Sequence, residues 1–328
     1  MKQIAIVLLI FISFLSIQAQ ESKKTQTDLD KTFYVHEEPN NTEVNPNGDI
    51  HPLRLITGGA AASVNINKAI DLNNQGAELF IGKNHDKAIE YFRQAAEIIP
   101  KSLEIKTNLA NALLVGRYYA EAAEICRKSI NDNEANGSIY AILGSALYEL
   151  GNYTESVISY QKALEFEKQN ARLFNDLGNA YYHLENNQLA LRAFDNALRI
   201  KPTFPDAFNN YGVTLIKVKR YKEAVEKFQQ ALKQQPDFAK AHNNLGFAYS
   251  YLGKKKQAQK SYLEAVRISP EWADAQYNLA MSYIADGKRE EARKCLEILK
   301  KLDSELAHKL QKEFYKNYVV AVPKENKN

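Results

Sequence analysis

The sequence predicts an all-α protein built from stacked helix hairpins, and three observations support this fold class. A pattern of one small residue, an aromatic or Leu residue, an Ala, a further aromatic residue and another Ala recurs every 34 residues. Apolar residues within each copy follow the helical period, and a loop-forming break such as Gly151-Asn152 divides the copy into two segments. Proline also ends the second segment of four copies, because it removes a backbone donor and clashes with the preceding turn. These prolines are Pro100, Pro202, Pro236 and Pro270.

Residues 1–19 read as a secretory signal peptide. Lys2 precedes an apolar run from Ile4 to Ile17, and Ala19 supplies a small residue at a plausible cleavage point. The alternative is an uncleaved anchor, but the run is shorter than the roughly 20 residues that a spanning helix needs. No Cys lies near the cleavage point to carry a lipid. We therefore expect an exported chain, periplasmic or extracellular, with no stable membrane span after cleavage.

The rest of the chain divides into four parts. Residues 20–66 are rich in Asn, Pro, Gly and charge without apolar periodicity, which predicts a flexible leader. Residues 67–303 form the repeat array. An amphipathic segment over 304–322 predicts a capping helix that solvates the end of the array, and residues 323–328 are expected to be disordered. The seven predicted repeats cover about 69–102, 103–136, 137–170, 171–204, 205–238, 239–272 and 273–306.

A small residue recurs at one position of the first helix in every repeat. Gly within a helix costs up to about 1 kcal/mol relative to Ala, so its return at one register indicates a steric demand. We expect it to allow close approach of the two helices of a repeat. The residues are Gly76, Ala110, Gly144, Gly178, Gly212, Gly246 and Ala280.

The recurring residues resemble the tetratricopeptide repeat family over about residues 69–306. The resemblance implies helix pairs stacked into a right-handed superhelical solenoid, with the first helix of each pair lining a concave face. It also implies binding of peptide segments or partner proteins on that face, without chemistry of its own.

An amide recurs two residues before the small position and is the strongest candidate for peptide binding. The helical period turns this position away from the apolar side that contains the small residue and packs inside the repeat. The family geometry implies that the position faces the concave side. Its amide can donate to and accept from a peptide backbone, and the row resembles the asparagine ladder of O-linked N-acetylglucosamine transferase. Ile142 interrupts the row, and hydrogen bonding to a neighbouring helix is the open alternative. The predicted peptide-binding residues are Asn74, Asn108, Asn111, Asp176, Asn179, Asn210, Asn244, Asn278, Tyr182, Phe247 and Tyr251.

Other classes of function find little support in the sequence. The net charge is only +4 and acids interrupt the basic C-terminal stretch, so no nucleic-acid partner is expected. The six His are scattered, and no catalytic, metal, cofactor or small-molecule substrate site is predicted. Cys126 and Cys295 lie in distant repeats and are not expected to pair. The sequence thus favours a non-enzymatic, exported scaffold for a protein or peptide partner. The alternatives are an oligomerising module of a cell-envelope assembly and a recruiting subunit of an enzyme complex.

Overall fold

A computed structural model of the protein describes residues 61–319, and the side chains of residues 65–315. Every regular element in this range is an α-helix, and the helices pack as consecutive hairpins, so the predicted all-α fold is confirmed. The predicted signal peptide, most of the leader and the tail lie outside the described residues. The first helices are α1 (Ala61–Ile81), α3 (Leu103–Val115), α5 (Gly137–Glu149), α7 (Ala171–His183), α9 (Pro205–Lys217), α11 (Ala239–Tyr251) and α13 (Ala273–Ala285). The second helices are α2 (His85–Ile98), α4 (Tyr119–Asn131), α6 (Tyr153–Phe166), α8 (Asn187–Ile200), α10 (Tyr221–Gln234), α12 (Lys255–Ile268) and α14 (Arg289–Leu302), and α15 (Ser304–Val319) follows.

The first helix begins earlier than the sequence predicted. We placed the end of the leader at residue 66, but α1 begins at Ala61. The helical spacing of apolar residues extends back to Ile66, which lies three residues before Ala69 and four before Ile70. Both of these residues are buried. The last part of the predicted leader is therefore helical.

The described residues form two compact units, divided between Ile142 and Leu143. In the first unit, α1 packs on α2 and α3, and α3 packs on α4. In the second unit, each first helix from α7 to α13 contacts the next first helix, whereas no second helix from α8 to α14 contacts the next second helix. The second unit therefore curves toward its first helices, and their free face is its inner side.

The interior of each hairpin explains the small position. A Cβ built on Gly212 would lie 2.6 Å from Cε1 of Phe228, which is closer than real Cβ contacts allow. Phe228 comes sixteen residues later on the second helix and is fully buried. The same pairing holds in five repeats, whereas Ala takes the position in the two repeats whose partner is not a ring. The five pairs are Gly76/Phe92, Gly144/Tyr160, Gly178/Phe194, Gly212/Phe228 and Gly246/Tyr262, and the other two are Ala110/Cys126 and Ala280/Leu296.

The turn inside each hairpin contains a residue with a left-handed backbone. In the first hairpin this residue is Lys83, with φ 61°, and not the neighbouring Gly82. The N–H of Lys83 donates to the carbonyl of Phe80, and the N–H of Asn84 donates to that of Leu79, as in a Schellman motif. The residue with the left-handed backbone is a glycine in only three of these turns. They contain Gly151, Gly253 and Gly287.

The last helix packs on the final hairpin. α15 contacts both α13 and α14, and it buries Ala307 and Leu310 in a cluster that includes Leu299. This contact is the one that the first helix of a further hairpin would make. Its role as a solvating cap remains a prediction. Among residues 61–319, no helix combines the length and apolar content needed to cross a bilayer.

Candidate functional site

The recurring amides of the second unit form a chain of hydrogen bonds across three repeats. Nδ2 of Asn244 donates to Oδ1 of Asn209 at 2.9 Å, and Nδ2 of Asn209 donates to Oδ1 of Asn210 at 3.3 Å. Nδ2 of Asn210 donates to Oδ1 of Asn175 at 3.1 Å, and Nδ2 of Asn175 donates to Oδ1 of Asp176 at 3.1 Å. All four bonds have the same direction, because each residue donates to the next one on the path from Asn244 to Asp176. We call these five residues the amide chain.

Similar links occur elsewhere on the first helices. In the second unit, Nδ2 of Asn278 donates to Oδ1 of Asn243 at 2.9 Å. In the first unit, Nδ2 of Asn108 donates to Oδ1 of Asn73 at 2.9 Å. The recurring amide thus ties its helix to the preceding first helix, as the alternative interpretation of the sequence expected.

These ties leave hydrogen-bonding capacity on the amide chain. A carboxamide has two N–H donors and an oxygen with two lone pairs. Asn210 uses one donor for Asn175 and accepts one bond from Asn209, which leaves one donor and one lone pair. Asn210, Asn244 and Asn278 are half-buried, and so are Asp176 and Asn179. Structural and ligand-binding roles are therefore compatible on this face.

The predicted residues of the first unit are less accessible. Asn108 and Asn111 are each only 2% exposed, while Asn74 is half-buried. Oδ1 of Asn111 is buried and has no hydrogen-bond partner among the described residues. Apart from Asn74, the accessible part of the predicted site therefore lies on the second unit.

Asp176 replaces the recurring Asn at the end of the amide chain. Burial raises the pKa of its carboxyl from 3.8 to about 6, against the opposing effects of the Arg172 charge and the Asn175 donor. A carboxyl with this pKa is ionised for the most part at pH 7 and becomes protonated in mildly acidic solution. The amide chain therefore ends in a group whose charge depends on pH near neutrality.

Exposed aromatic side chains adjoin the amide chain on α11. Phe247 lies three residues after Asn244, on the same side of the helix, and is 37% exposed. Tyr251, one turn further, is 59% exposed and stacks on Tyr221 of α10, with ring centroids 4.7 Å apart. The centroids of Phe247 and Tyr251 are 4.9 Å apart. These three rings form an accessible apolar surface beside the amides.

A second aromatic group surrounds Tyr182 and His183. The ring of His183 stacks on that of Tyr153 at 4.6 Å, and Nζ of Lys217 lies 4.7 Å from the ring centroid of Tyr182. Burial and the Lys217 charge lower the pKa of His183, which favours the neutral imidazole. This group therefore offers aromatic surface with one flanking cation.

Sequence reasoning did not identify which residues bond to the recurring amides or stack on the exposed rings. Asn175, Asn209 and Asn243 are the buried acceptors that receive the recurring amides. The doublets Asn209-Asn210 and Asn243-Asn244 were a signal for this pairing. The stacking tyrosines, Tyr153 and Tyr221, belong to second helices and each precede their partner by 30 residues.

The two thiols are far from reactive. Cys126 and Cys295 are free and buried, and they belong to different units. Burial raises the pKa of Cys126 above its ordinary value and that of Cys295 to about 11. Both therefore remain protonated at neutral pH.

Comparison with solved structures supports the fold. The chain is similar to one in the crystal structure of the APC/C hetero-tetramer Cut9-Hcn1, with 18% identity, TM-score 0.62, and coverage of 75% of this chain and 48% of that one. It is also similar to the C-terminal part of a TPR repeat-containing protein from Cytophaga hutchinsonii, with 18% identity, TM-score 0.54, and coverage of 70% and 95%. YrrB, described as a TPR protein with an unusual peptide-binding site, shares 26% identity with TM-score 0.45, and coverage of 58% and 99%. No curated protein matches the sequence significantly.

Sequence profiles of the repeat family match along the described chain. Profiles described as "TPR repeat" match residues 144–185 and 215–253. Profiles described as "Tetratricopeptide repeat" match residues 72–102, 171–204, 239–272 and 274–305. Together with the helix pairs, these matches confirm the resemblance inferred from the repeating residues: the chain belongs to the tetratricopeptide repeat family.

Proposed function

We propose that the protein is a non-enzymatic interaction scaffold that binds an extended segment of a partner polypeptide on the inner face of its second unit. The observation that carries the proposal is the amide chain with spare donors and acceptors, next to the exposed rings of Phe247 and Tyr251. Membership of the tetratricopeptide repeat family supports protein interaction as the general role.

The spacing of the first helices suits an extended backbone. Packed helices lie about 8–10 Å apart, and an extended chain rises about 3.3 Å per residue. One first helix therefore meets about three residues of an extended peptide. The four helices α7, α9, α11 and α13 would accommodate roughly 10–12 residues.

The amides and the rings would serve different parts of the ligand. A spare N–H and a spare lone pair on each amide can pair with main-chain groups, which are present in every peptide. The Phe247 and Tyr251 rings provide large apolar surface for side chains, and aromatic residues of this kind often dominate binding energy. The amides would therefore give general affinity, and the rings would give preference for apolar side chains.

A matched pair of double variants tests the proposal. Twelve-residue peptides are selected from a random library on the wild-type protein, and their Kd is measured by fluorescence polarisation. Phe247→Ser with Tyr251→Ser removes apolar surface from the inner face. Leu263→Ser with Ile298→Ser removes it from the second helices α12 and α14, where these residues are 42% and 40% exposed.

We expect the inner-face variant to raise Kd at least about tenfold, which corresponds to about 1.4 kcal/mol. The control variant should stay within about twofold, since it leaves the inner face unchanged. Circular dichroism and light scattering check that helicity and assembly state are the same in both. Equal weakening in both variants, or failure to select any peptide, would contradict the proposal.

We also propose that the mature chain acts outside the cytoplasm. The support is the sequence pattern of Lys2, the apolar run from Ile4 to Ile17 and the small Ala19. Mass spectrometry of protein recovered from its own cells should find a chain that begins at Gln20. Recovery of the chain with its N-terminal segment intact would refute cleavage.

A further inference from the structure

A hydrogen-bonded chain made only of amides has no intrinsic direction. Turning a carboxamide by half a rotation about its last side-chain bond exchanges its donor and its acceptor. If every Asn of the chain turned in this way, each link would form again in the reverse direction. Something outside the amides must therefore select one of the two arrangements.

Asp176 supplies that selection. An ionised carboxylate has acceptors and no donor, so Asn175 must present its Nδ2 to it, as it does at 3.1 Å. Oδ1 of Asn175 then faces Nδ2 of Asn210, and the remaining links follow in the same direction to Asn244. In the reverse arrangement, Oδ1 of Asn175 would face the carboxylate, which is repulsive.

We propose that Asp176 is a positioning residue that holds the amide chain in one direction and thereby selects the main-chain direction of a bound extended peptide. This inference rests on the proposed function for its ligand. With the chain held, the spare donors and acceptors of Asn210 and Asn244 lie in a fixed order along the face. The N–H and C=O groups of an extended peptide match that order in one direction only.

The charge at Asp176 is costly, which supports a role beyond packing. Its carboxyl is half-buried, and burial raises its pKa to about 6. Asn occupies the same position in five other repeats, so the fold itself accepts a neutral amide there. They are Asn74, Asn108, Asn210, Asn244 and Asn278.

The surroundings of Asp176 predict how the selection responds to pH. Arg172 on the same helix favours the carboxylate, and the phenol groups of Tyr148 on α5 and Tyr160 on α6 interact with it electrostatically. Below about pH 6 the protonated carboxyl gains an O–H donor, which can bond to Oδ1 of Asn175. Either direction of the chain is then permitted, and the selection is lost.

The test compares a selected peptide with its reversed sequence. Built from D-amino acids and bound in the opposite direction, the reversed peptide places the same side chains at the same positions but reverses every main-chain N–H and C=O. We expect wild type at pH 7.5 to prefer the original peptide by about tenfold, the effect of one or two hydrogen bonds. Asp176→Asn should reduce the preference to about threefold or less, and wild type at pH 5 should behave like the variant. Asp195→Asn, on the second helix α8, is the matched control and should keep the full preference.

A second measurement uses the protein without ligand. The side-chain ¹⁵N–¹H signals of Asn175, Asn209 and Asn210 should titrate together with a midpoint near pH 6, and Asp176→Asn should abolish this titration. The titration is repeated with His183→Gln added to wild type and to Asp176→Asn, so that the His183 imidazole does not contribute to the pH dependence of the amide signals.

The two measurements separate the possible failures. Amide signals that do not follow Asp176, or an unchanged preference in Asp176→Asn, overturn the inference even if peptides bind. If the signals titrate as expected but no peptide binds wild type, the proposed function has failed, and directional selection is overturned with it.

Discussion

The interior of a hairpin and the inner face of the second unit use repetition in different ways. In the interior, Gly212 lies against Phe228 so closely that a Cβ would come within 2.6 Å of the ring. On the face, Asn210 and Asn244 repeat as directional hydrogen bonds with capacity left over. Repetition in the interior therefore reflects a steric limit, whereas repetition on the face reflects a polar network that can also serve a ligand. Substitutions in the two regions should differ in both size and pH dependence.

The largest difference should come from removing a ring in each region. Phe228→Ala leaves a cavity at a fully buried site and should lower the free energy of unfolding by about 3–5 kcal/mol. Phe247→Ala removes a ring that is 37% exposed and should change it by only about 0.5 kcal/mol. Urea unfolding followed by circular dichroism measures both. Similar losses in the two variants would mean that the face is as tightly packed as the interior.

A smaller, pH-dependent effect is expected at Asp176. The folded-state pKa of about 6 exceeds the ordinary value of 3.8, so the folded chain binds this proton more tightly than the unfolded chain. The resulting stabilisation is complete below pH 3.8 and is lost as the pH rises through 6. Asp176→Asn cannot titrate, so its free energy of unfolding relative to wild type should rise by up to about 3 kcal/mol between about pH 4 and pH 7.

Unfolding curves of both proteins at several pH values measure the Asp176 effect. Asp195→Asn on α8 serves as the control for replacing a carboxylate by an amide elsewhere in the protein. If the difference between Asp176→Asn and wild type does not change with pH, the carboxyl is not destabilised by burial.

The smallest effect should appear when the two kinds of small position are exchanged. Gly212→Ala forces a Cβ against Phe228, at a cost of roughly 1–3 kcal/mol, while helix propensity returns up to about 1 kcal/mol. Ala280→Gly, opposite Leu296, meets no such limit and should lose only about 1 kcal/mol through propensity.

A second substitution tests the cause of the Gly212 effect. Adding Phe228→Leu to Gly212→Ala recreates the pairing found at Ala280 and Leu296. The cost of Gly212→Ala should therefore be smaller when Phe228→Leu is already present, which a double-mutant cycle measures. Strictly additive losses would show that the ring is not the obstacle.

Much of the fold was predictable because its determinants are local and repeated. The return of Gly212 and its equivalents at one register indicated a close approach of two helices. The exact start of α1 was less predictable, because the helical period before Ala69 is short and lies next to a polar segment. The left-handed conformation of Lys83 was not predictable either, since a glycine such as the adjacent Gly82 would adopt that conformation at lower cost.

The candidate site was predictable only in part. The sequence indicated that Asn210 and Asn244 share a position, but Asn108 shares it too and is only 2% exposed. Equivalent positions thus differ in accessibility, and their neighbours in space decide the difference. The role of these residues in binding remains a prediction.

By itself, the sequence determined the repeat length, the helix pairs and the pairing of a small residue with a ring, because each depends on residues close along the chain. Tertiary structure alone decided that Asn210 bonds to Asn175, 35 residues earlier, and that the amide chain ends at Asp176. The reason is physical: those bonds join different first helices, and their geometry exists only once the helices have stacked.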